Sequence, residues 1–117
     1  MTKVLVVDDH EDIRNTLTMA LDDEGYEVRA AANGLDALSV LDEWTPNVIL
    51  LDLMMPVMDG WAFRKEQLRR HDGKAAPVVI LSAAGELETH RATLSAAAFI
   101  PKPFEIDRVV ETIAAVS

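Results

Sequence analysis

The stretch VILLDLMMPVMDGW, residues 48–61, begins as a continuous apolar run that is interrupted by one acid, Asp52. A short run rich in Val, Ile and Leu and bounded by turn residues is typical of a strand that is buried on both faces. After Gly60 the apolar residues recur at longer, helix-like intervals. The stretch therefore predicts a central strand with a carboxylate at its end, followed by a loop and a helix.

Similar apolar runs occur along the whole chain, separated by segments with apolar residues three and four positions apart. The predicted strands are VLVV (4–7), YEVRA (26–30), NVILL (47–51), PVVIL (77–81) and AAFI (97–100). YEVRA is polar at alternate positions, which predicts an edge strand with one side exposed to solvent. The alternation of strands and helices predicts an α/β fold, an open parallel sheet with helices on both faces.

Helical spacing predicts five helices. The first spans about residues 11–24 and ends at Gly25. The second follows Asn33, which is a favourable N-cap residue. Two further helices are predicted after Gly60 and Gly85. The inward side chains of the second and the last helix are predicted to be Leu35, Leu38, Leu41 and Ile106, Val109, Val110, Ile113.

The composition limits the classes of protein to consider. The 117 residues, half of them apolar, are expected to form one domain, 1–117, and the absence of cysteine excludes disulfides and thiolate sites. No segment resembles a signal-peptide core or a membrane span, so a cytoplasmic protein without membrane contact is expected. The net charge of −9 disfavours direct nucleic-acid binding. The basic residues Arg64, Lys65, Arg69, Arg70 and Lys74 are interpreted as a solvated helix face.

Polar residues stand where the predicted strands end. Asp8 and Asp9 follow the first strand, Asp52 the third and Ser82 the fourth, and Lys102 lies just beyond the fifth. Each is an ordinary loop residue when taken alone. In parallel α/β sheets, however, ligands bind beyond the carboxyl ends of the strands. Three carboxylates, a hydroxyl and an ammonium group at one sheet edge therefore predict a functional site.

The charge balance of this predicted site favours a divalent cation. Three carboxylates and Lys102 leave about two negative charges, which a confined site must compensate. Oxygen ligands favour Mg²⁺, and Mn²⁺ is expected to substitute. A carboxylate beside Mg²⁺ suits phosphoryl transfer, with Asp52 as nucleophile and with Ser82 and Lys102 binding phosphoryl oxygens. His10 has no second histidine at metal-binding spacing and is interpreted as a surface residue.

Four blocks of the sequence together resemble the receiver domain of bacterial two-component response regulators, over essentially residues 3–115: VLVVDDHED, VILLDLMMPVMDGW, VVILSA and FIPKPF. The resemblance implies a three-layer, flavodoxin-like (βα)5 fold with strand order 2-1-3-4-5. It implies that a histidine kinase or phosphotransfer protein phosphorylates Asp52, and that a downstream protein or fused output domain responds. Such a domain is a switch and not an enzyme, because it catalyses only its own phosphorylation and slow self-dephosphorylation.

The resemblance also implies roles for individual residues. Mg²⁺ is expected to be held by Asp9, Asp52 and the backbone carbonyl of Met54, with Asp8 in support. The apolar side chains of Met54 and Ala84 cannot orient an attacking water, which predicts slow loss of the phosphoryl group. The residues implied to be structural at the site are Pro56, Gly60 and Pro103, with a cis Lys102–Pro103 peptide bond.

A signalling route is implied as well. Ser82 is expected to contact the phosphoryl group and Phe99 to report this to the surface formed by the helix after Gly85, the last strand and the last helix. Phe99 lacks the hydroxyl often found at this position, so packing must carry its part of the signal. The alternative interpretation, equally consistent with the sequence, is that Phe99 is a core residue without a signalling role. Ser95 stands where receiver domains often carry glycine, which leaves the end of the preceding helix open.

Two other functions remain to be considered. A small Mg²⁺-dependent phosphohydrolase of the haloacid dehalogenase type also uses an Asp nucleophile, but that nucleophile ends the first strand in a DxD pattern. Here the first strand ends in adjacent acids, and the chain has no room for a cap domain. The second alternative is a receiver-like interaction module that is never phosphorylated. The presence of competent residues at all five site positions disfavours it.

Overall fold

The chain alternates strands and helices in a computed structural model that describes residues 1–70, 74–83 and 94–117. The strands are β1 Lys3–Val7, β2 Glu27–Ala31, β3 Val48–Asp52, β4 Val78–Ala83 and β5 Ala98–Lys102. The helices are α1 Glu11–Asp23, α2 Gly34–Glu43, α3 Gly60–Arg70 and the C-terminal helix Ile106–Val116. The helix predicted after Gly85 falls on residues outside the described part of the chain.

The described strands form one parallel sheet in the order β2-β1-β3-β4-β5, which confirms the predicted topology. β3 lies in the middle, and every one of its residues is buried. β2 lies at an edge, as its alternating pattern predicted, with Glu27 and Arg29 exposed. The position of each strand therefore follows from how much of it is apolar.

Alternate side chains of the central strands face opposite sides of the sheet, since successive residues in a strand point in opposite directions. Leu5 and Ile49 pack with residues of α2 and α3, whereas Val4 and Val48 pack with residues of α1 and the C-terminal helix. Full burial of one such side chain stabilises the fold by about 1.5–3 kcal/mol. The three-layer prediction is thus confirmed. No helix within the described ranges has both the length and the apolar character needed to cross a membrane.

Trp44, directly after α2, packs against the exposed edge strand. Its indole N–H donates a hydrogen bond of 2.8 Å to Glu27 Oε2. The guanidinium of Arg29 lies 5.0 Å from the ring centroid, within the range of a cation–π contact. The two charged side chains of β2 are therefore held by the aromatic ring.

The buried face of α2 differs from the prediction by one position. Asn33 caps the helix as predicted, accepting a hydrogen bond of 2.8 Å from the Asp36 N–H. Leu35, predicted to point inward, is 52% exposed, while Gly34 and Ala37 are buried. A Cβ atom at Gly34 would lie 2.7 Å from Met58 Cγ. Because Met58 approaches so closely, the first turn of α2 packs against it through Gly34, and Leu35 is left exposed.

The prediction for α3 is wrong at Arg64. This side chain is 5% exposed, although the sequence indicated a solvated basic face. Its guanidinium donates hydrogen bonds to the carbonyl oxygens of Leu94, Ser95 and Ala76 and to Gln67 Oε1. Ser95, where glycine is frequent in the resembled family, has a φ of 49°. Arg64 is buried because main-chain acceptors from distant parts of the chain surround it.

Two strands extend beyond their apolar runs. β4 continues through Ser82 and β5 through Lys102, because the parallel pairing persists as Ser82 with Pro101 and Ala83 with Lys102. Both polar residues were predicted to lie just after their strands. Their backbones are instead fixed by the sheet itself.

Candidate functional site

The carboxyl edge of the sheet collects the charged residues that follow or end its strands. Asp8 and Asp9 come directly after β1, and Asp52 is the last residue of the neighbouring β3. Lys102 ends β5, with its Nζ 3.3 Å from Asp8 Oδ2 and 3.5 Å from Asp52 Oδ1. One ammonium group therefore bridges carboxylates from two adjacent strands.

Burial makes the ionisation of these carboxylates sensitive to their surroundings. Asp8 is fully buried, and Asp52 is 2% exposed. Removal from water is the main cause that raises the pKa of Asp52 to about 6; the charge of Lys102 opposes this rise, and repulsion from Asp8 and Asp9 adds to it. The Met54 N–H also stabilises the ionised form, at 3.4 Å from Asp52 Oδ1. Asp52 is therefore mainly ionised at pH 7.

Two carboxylate oxygens in the site are buried without a hydrogen-bond partner in the described part of the chain: Asp9 Oδ1 and Asp52 Oδ2. Ligand atoms from Asp8, Asp9, His10 and Asp52 all lie within 4.8 Å of one another. Unsatisfied buried oxygens are costly unless a further group binds them. The arrangement therefore fits a divalent cation with a preference for oxygen ligands.

The sequence did not predict the contacts that two residues, His10 and Arg14, make at this site. His10, interpreted as a surface residue, has a ring that is 62% exposed, yet its Nδ1 lies 3.3 Å from one oxygen each of Asp8 and Asp9. Arg14 donates a hydrogen bond of 2.9 Å to the Asp8 carbonyl and so orients the first acid. The position of His10 directly after the acid pair was the available signal. Arg14 carries no comparable signal, because its role depends on the turn into α1.

The loop after β3 folds back against the site, and Gly60 permits this. Its N–H donates a hydrogen bond of 2.9 Å to the Leu53 carbonyl. A Cβ atom there would lie 2.6 Å from the backbone oxygen of Asp52, closer than real Cβ contacts occur. Gly60 is therefore required for the loop to close on the strand that carries the central carboxylate.

Within that loop, Pro56 begins a tight three-residue turn. The Met58 N–H donates a hydrogen bond of 2.7 Å to the Pro56 carbonyl, and the central residue, Val57, has a φ of 69°. Such a conformation is uncommon for a β-branched residue and is strained. The turn returns the chain toward α3, which Asp59 caps through a hydrogen bond of 2.9 Å from the Ala62 N–H.

Comparison with known proteins identifies this arrangement. The family model of the response regulator receiver domain matches residues 4–114. The chain belongs to this family. Receiver domains are phosphorylation-dependent switches of two-component signalling and typically bind Mg²⁺, which agrees with the acidic cluster. The resemblance drawn from the four sequence blocks is confirmed, and the phosphohydrolase alternative is not supported.

Solved receiver structures match the chain over its length. The chemotaxis response regulator CheY4 of Vibrio cholerae is 34% identical, with a TM-score of 0.90, and the match covers 100% of this chain and 99% of CheY4. The response regulator TrrA of Thermotoga maritima, in complex with Mg²⁺ and BeF, is 29% identical, with a TM-score of 0.87 and full coverage of both chains. The chain therefore shares the receiver fold with these proteins.

A longer relative matches only in part. The regulatory protein AtoC of Escherichia coli is 36% identical over 111 residues, which are 93% of this chain and 24% of AtoC. This receiver domain thus spans about a quarter of that regulator. The match supports the family of this domain and says nothing about the activity of the rest of AtoC.

The remaining predicted residues of the receiver domain lie on β4 and β5. Ser82 is buried next to Leu81, the partner of Asp52 in the β3–β4 ladder. Phe99 is partly buried and packs against the core cluster on the α2 and α3 side of the sheet. The Lys102–Pro103 peptide bond is cis, as predicted. All described site residues thus lie at the same edge or directly behind it.

Proposed function

We propose that Asp52 is the phosphoacceptor of this receiver domain and takes its phosphoryl group from a phosphohistidine of a kinase or phosphotransfer protein. The observation that supports this most is the difference in contacts between the two carboxylate oxygens of Asp52. Oδ1 is near Lys102 and the Met54 N–H, whereas Oδ2 is buried without a hydrogen-bond partner in the described chain. One oxygen is held and the other is available to react.

The proposed reaction moves one phosphoryl group between two proteins. A carboxylate oxygen of Asp52 attacks phosphorus, and the bond from phosphorus to the donor imidazole nitrogen breaks. That nitrogen keeps the electron pair. The second ring nitrogen of the donor is protonated when the bond breaks, so the donor leaves as a neutral imidazole. The Lys102 ammonium pairs with the phosphoryl oxygens, and the Ser82 hydroxyl donates a hydrogen bond to one of them.

Asp9, Asp52 and the Met54 backbone carbonyl are proposed to hold Mg²⁺, with Asp8 in support, and Mn²⁺ is proposed to substitute. When bound, the cation supplies positive charge against the phosphoryl oxygens and the acceptor carboxylate. The unsatisfied Oδ1 of Asp9 and the close spacing of the acidic ligand atoms support this assignment. The chain's own part is to keep these oxygens close together although they repel each other.

The signal is proposed to leave through Ser82 and Phe99. A phosphoryl group at Asp52 draws the Ser82 hydroxyl, and the Phe99 ring repacks into the space vacated beside β4. The proposed output surface includes β5 and the C-terminal helix. Its third expected element, the helix after Gly85, falls on residues outside the described ranges. Self-dephosphorylation is proposed to be slow, since the exposed Met54 side chain offers no polar group to an attacking water; Ala84 lies outside the described residues.

We propose that residues 1–117 act as one receiver domain in the cytoplasm, alone or joined to an output domain, without direct binding to nucleic acid or membrane. Ile13, Pro103 and Phe104 line an apolar hollow beside Lys102. This hollow offers a donor protein a surface next to the acceptor. The domain turns over no separate substrate and is therefore a switch and not an enzyme.

The test is phosphorylation of the purified chain with Mg²⁺ and acetyl phosphate, followed by intact mass, with a phosphohistidine-bearing donor protein as a second phosphoryl source. Wild type should gain one phosphoryl group from either donor, and Asp52→Asn should gain none. Asp59→Asn is the matched control, because an Asn at this position can still cap α3. Equal mass gain in wild type and Asp52→Asn refutes the assignment of Asp52. No gain in wild type favours the interaction module that is never phosphorylated.

A further inference from the structure

His10 extends the acidic cluster with a nitrogen ligand. Its Nδ1 lies 3.3 Å from Asp8 Oδ1 and 3.3 Å from Asp9 Oδ1, and the ligand atoms of these residues and Asp52 fall within 4.8 Å of one another. Two ligands that lie about 2.1 Å from one cation are roughly 3.0–3.4 Å apart at octahedral to tetrahedral angles. The two separations from His10 Nδ1 are therefore those of neighbouring ligands on a single ion.

The backbone holds the ring in this place. His10 is the N-cap residue of α1, but its side chain makes no capping hydrogen bond. Its N–H donates a hydrogen bond of 2.8 Å to Asp8 Oδ1, and its carbonyl accepts one of 2.9 Å from the Arg14 N–H. Within the described chain the polar contacts of the ring are the carboxylates of Asp8 and Asp9. The His10 ring thus does not cap α1 and lies instead against the carboxylates of Asp8 and Asp9.

An independent observation indicates that the site has unused capacity to bind a ligand. Asp52 is 2% exposed, and its Oδ2 is buried without a hydrogen-bond partner among the described residues. The cluster is therefore more than a group of exposed acids, since one buried oxygen in it still lacks a partner. Together the four residues offer three carboxylates and one imidazole.

We propose that this site binds Zn²⁺ and similar transition-metal cations through His10 Nδ1 and the carboxylates of Asp8, Asp9 and Asp52, and that such binding opposes phosphorylation. Imidazole suits Zn²⁺, Co²⁺ and Ni²⁺, whereas Mg²⁺ prefers oxygen ligands and gains little from a ring nitrogen. His10 therefore changes which cation the site selects.

The effect on phosphorylation follows from the number of ligands. Four protein ligands complete the tetrahedral shell of Zn²⁺, and a completed shell leaves no position for a phosphoryl oxygen. Mg²⁺ held by fewer protein ligands keeps positions that water or phosphate can occupy. The metal-binding part of this inference rests on the metal site of the proposed function, and the effect on phosphorylation rests on Asp52 as the acceptor.

The test compares wild type with His10→Phe, which keeps a ring of similar size without a nitrogen; His71→Phe is the matched control. Zn²⁺ affinity, measured by competition with a chromophoric chelator, should fall at least about tenfold in His10→Phe and stay unchanged in the control. Mg²⁺ affinity, measured by calorimetry, should change less than about twofold in both variants. In wild type the ¹⁵N resonance of His10 Nδ1 should shift with Zn²⁺ and not with Mg²⁺.

The possible results separate the two ideas. Equal Zn²⁺ affinity in wild type and His10→Phe, with normal Mg²⁺ binding, overturns the role of His10 and leaves the proposed function standing. Failure of wild type to bind Mg²⁺ contradicts the metal site of the proposed function. If Zn²⁺ binds through His10 but Asp52 of the Zn²⁺-loaded protein accepts phosphoryl groups as fast as with Mg²⁺ alone, the opposing effect is refuted.

Discussion

At the carboxyl edge of the sheet, Asp8 and Asp52 are buried around one ammonium group, and on α3 the side chain of Arg64 is also buried. The two regions differ in how their charges are satisfied. The Arg64 guanidinium donates to four neutral acceptors, three of them backbone carbonyls, at 2.8–3.1 Å. In the acidic site, oxygens of Asp9 and Asp52 are left without hydrogen-bond partners in the described chain.

This difference separates a structural charge from a reactive one. Burial lowers the pKa of Arg64, but an arginine stays protonated in proteins, so its hydrogen bonds are permanent. Burial also raises the pKa of Asp52 to about 6, which brings its protonation close to neutral pH. A buried charge that is hydrogen-bonded to several acceptors of the fold itself stabilises the fold. One with free acceptor atoms is prepared to bind something else.

The largest expected effect concerns the ammonium group of the acidic site. Lys102→Met should slow phosphorylation by acetyl phosphate at least about 100-fold, since the variant lacks the charge that pairs with the phosphoryl oxygens. The rate is measured by intact mass over time. Lys65→Met removes an exposed lysine and is the control. A rate within a few-fold of wild type would show that Lys102 only balances charge in the resting site.

The next effect concerns the structural charge. Arg64→Met should lower the free energy of unfolding by about 2–4 kcal/mol, because the carbonyls of Leu94 and Ser95 lose their donors in a buried place. Urea unfolding measures this change. Lys65→Met, on the same helix but exposed, should change stability by no more than about 0.5 kcal/mol. Phosphorylation of folded Arg64→Met should proceed, and its loss in a folded variant would break the distinction between the two regions.

The smallest effect is the pH dependence of stability without divalent cations. The pKa of Asp52 is raised from 3.8 to about 6 on folding, so the folded state binds more protons than the unfolded state between these values. Stability must then fall as pH rises through this window. The unfolding free energy of Asp52→Asn minus that of wild type should grow by about 2 kcal/mol from pH 4 to pH 7. A constant difference would mean that burial does not perturb Asp52.

Much of the fold was predictable because its signals are local. Unbroken apolar runs identified β1, β3 and β4, and the polar alternation of β2 identified the edge. The site acids were predictable for a related reason, since strand ends in a parallel sheet lie at one edge. Asp8, Asp52 and Lys102 therefore meet although they are far apart in the sequence.

The predictions of burial fail where groups that are distant in the sequence decide whether a side chain is exposed. Arg64 is buried by carbonyls about 30 residues further along the chain, which no local pattern reveals. Leu35 is exposed because Met58 approaches the first turn of α2 at Gly34. His10 is exposed, as its interpretation as a surface residue implies, but its contacts with the two adjacent carboxylates were not predicted.

The edge strand β2 has a consequence for how copies of this protein meet. An exposed edge can recruit a strand from another molecule, and natural proteins prevent this with charged side chains along the edge. Here Glu27 and Arg29 are exposed on that strand and are engaged by Trp44. Continuation of the sheet between two molecules is therefore disfavoured at β2. Self-association that depends on phosphorylation would have to use the other surfaces of the domain.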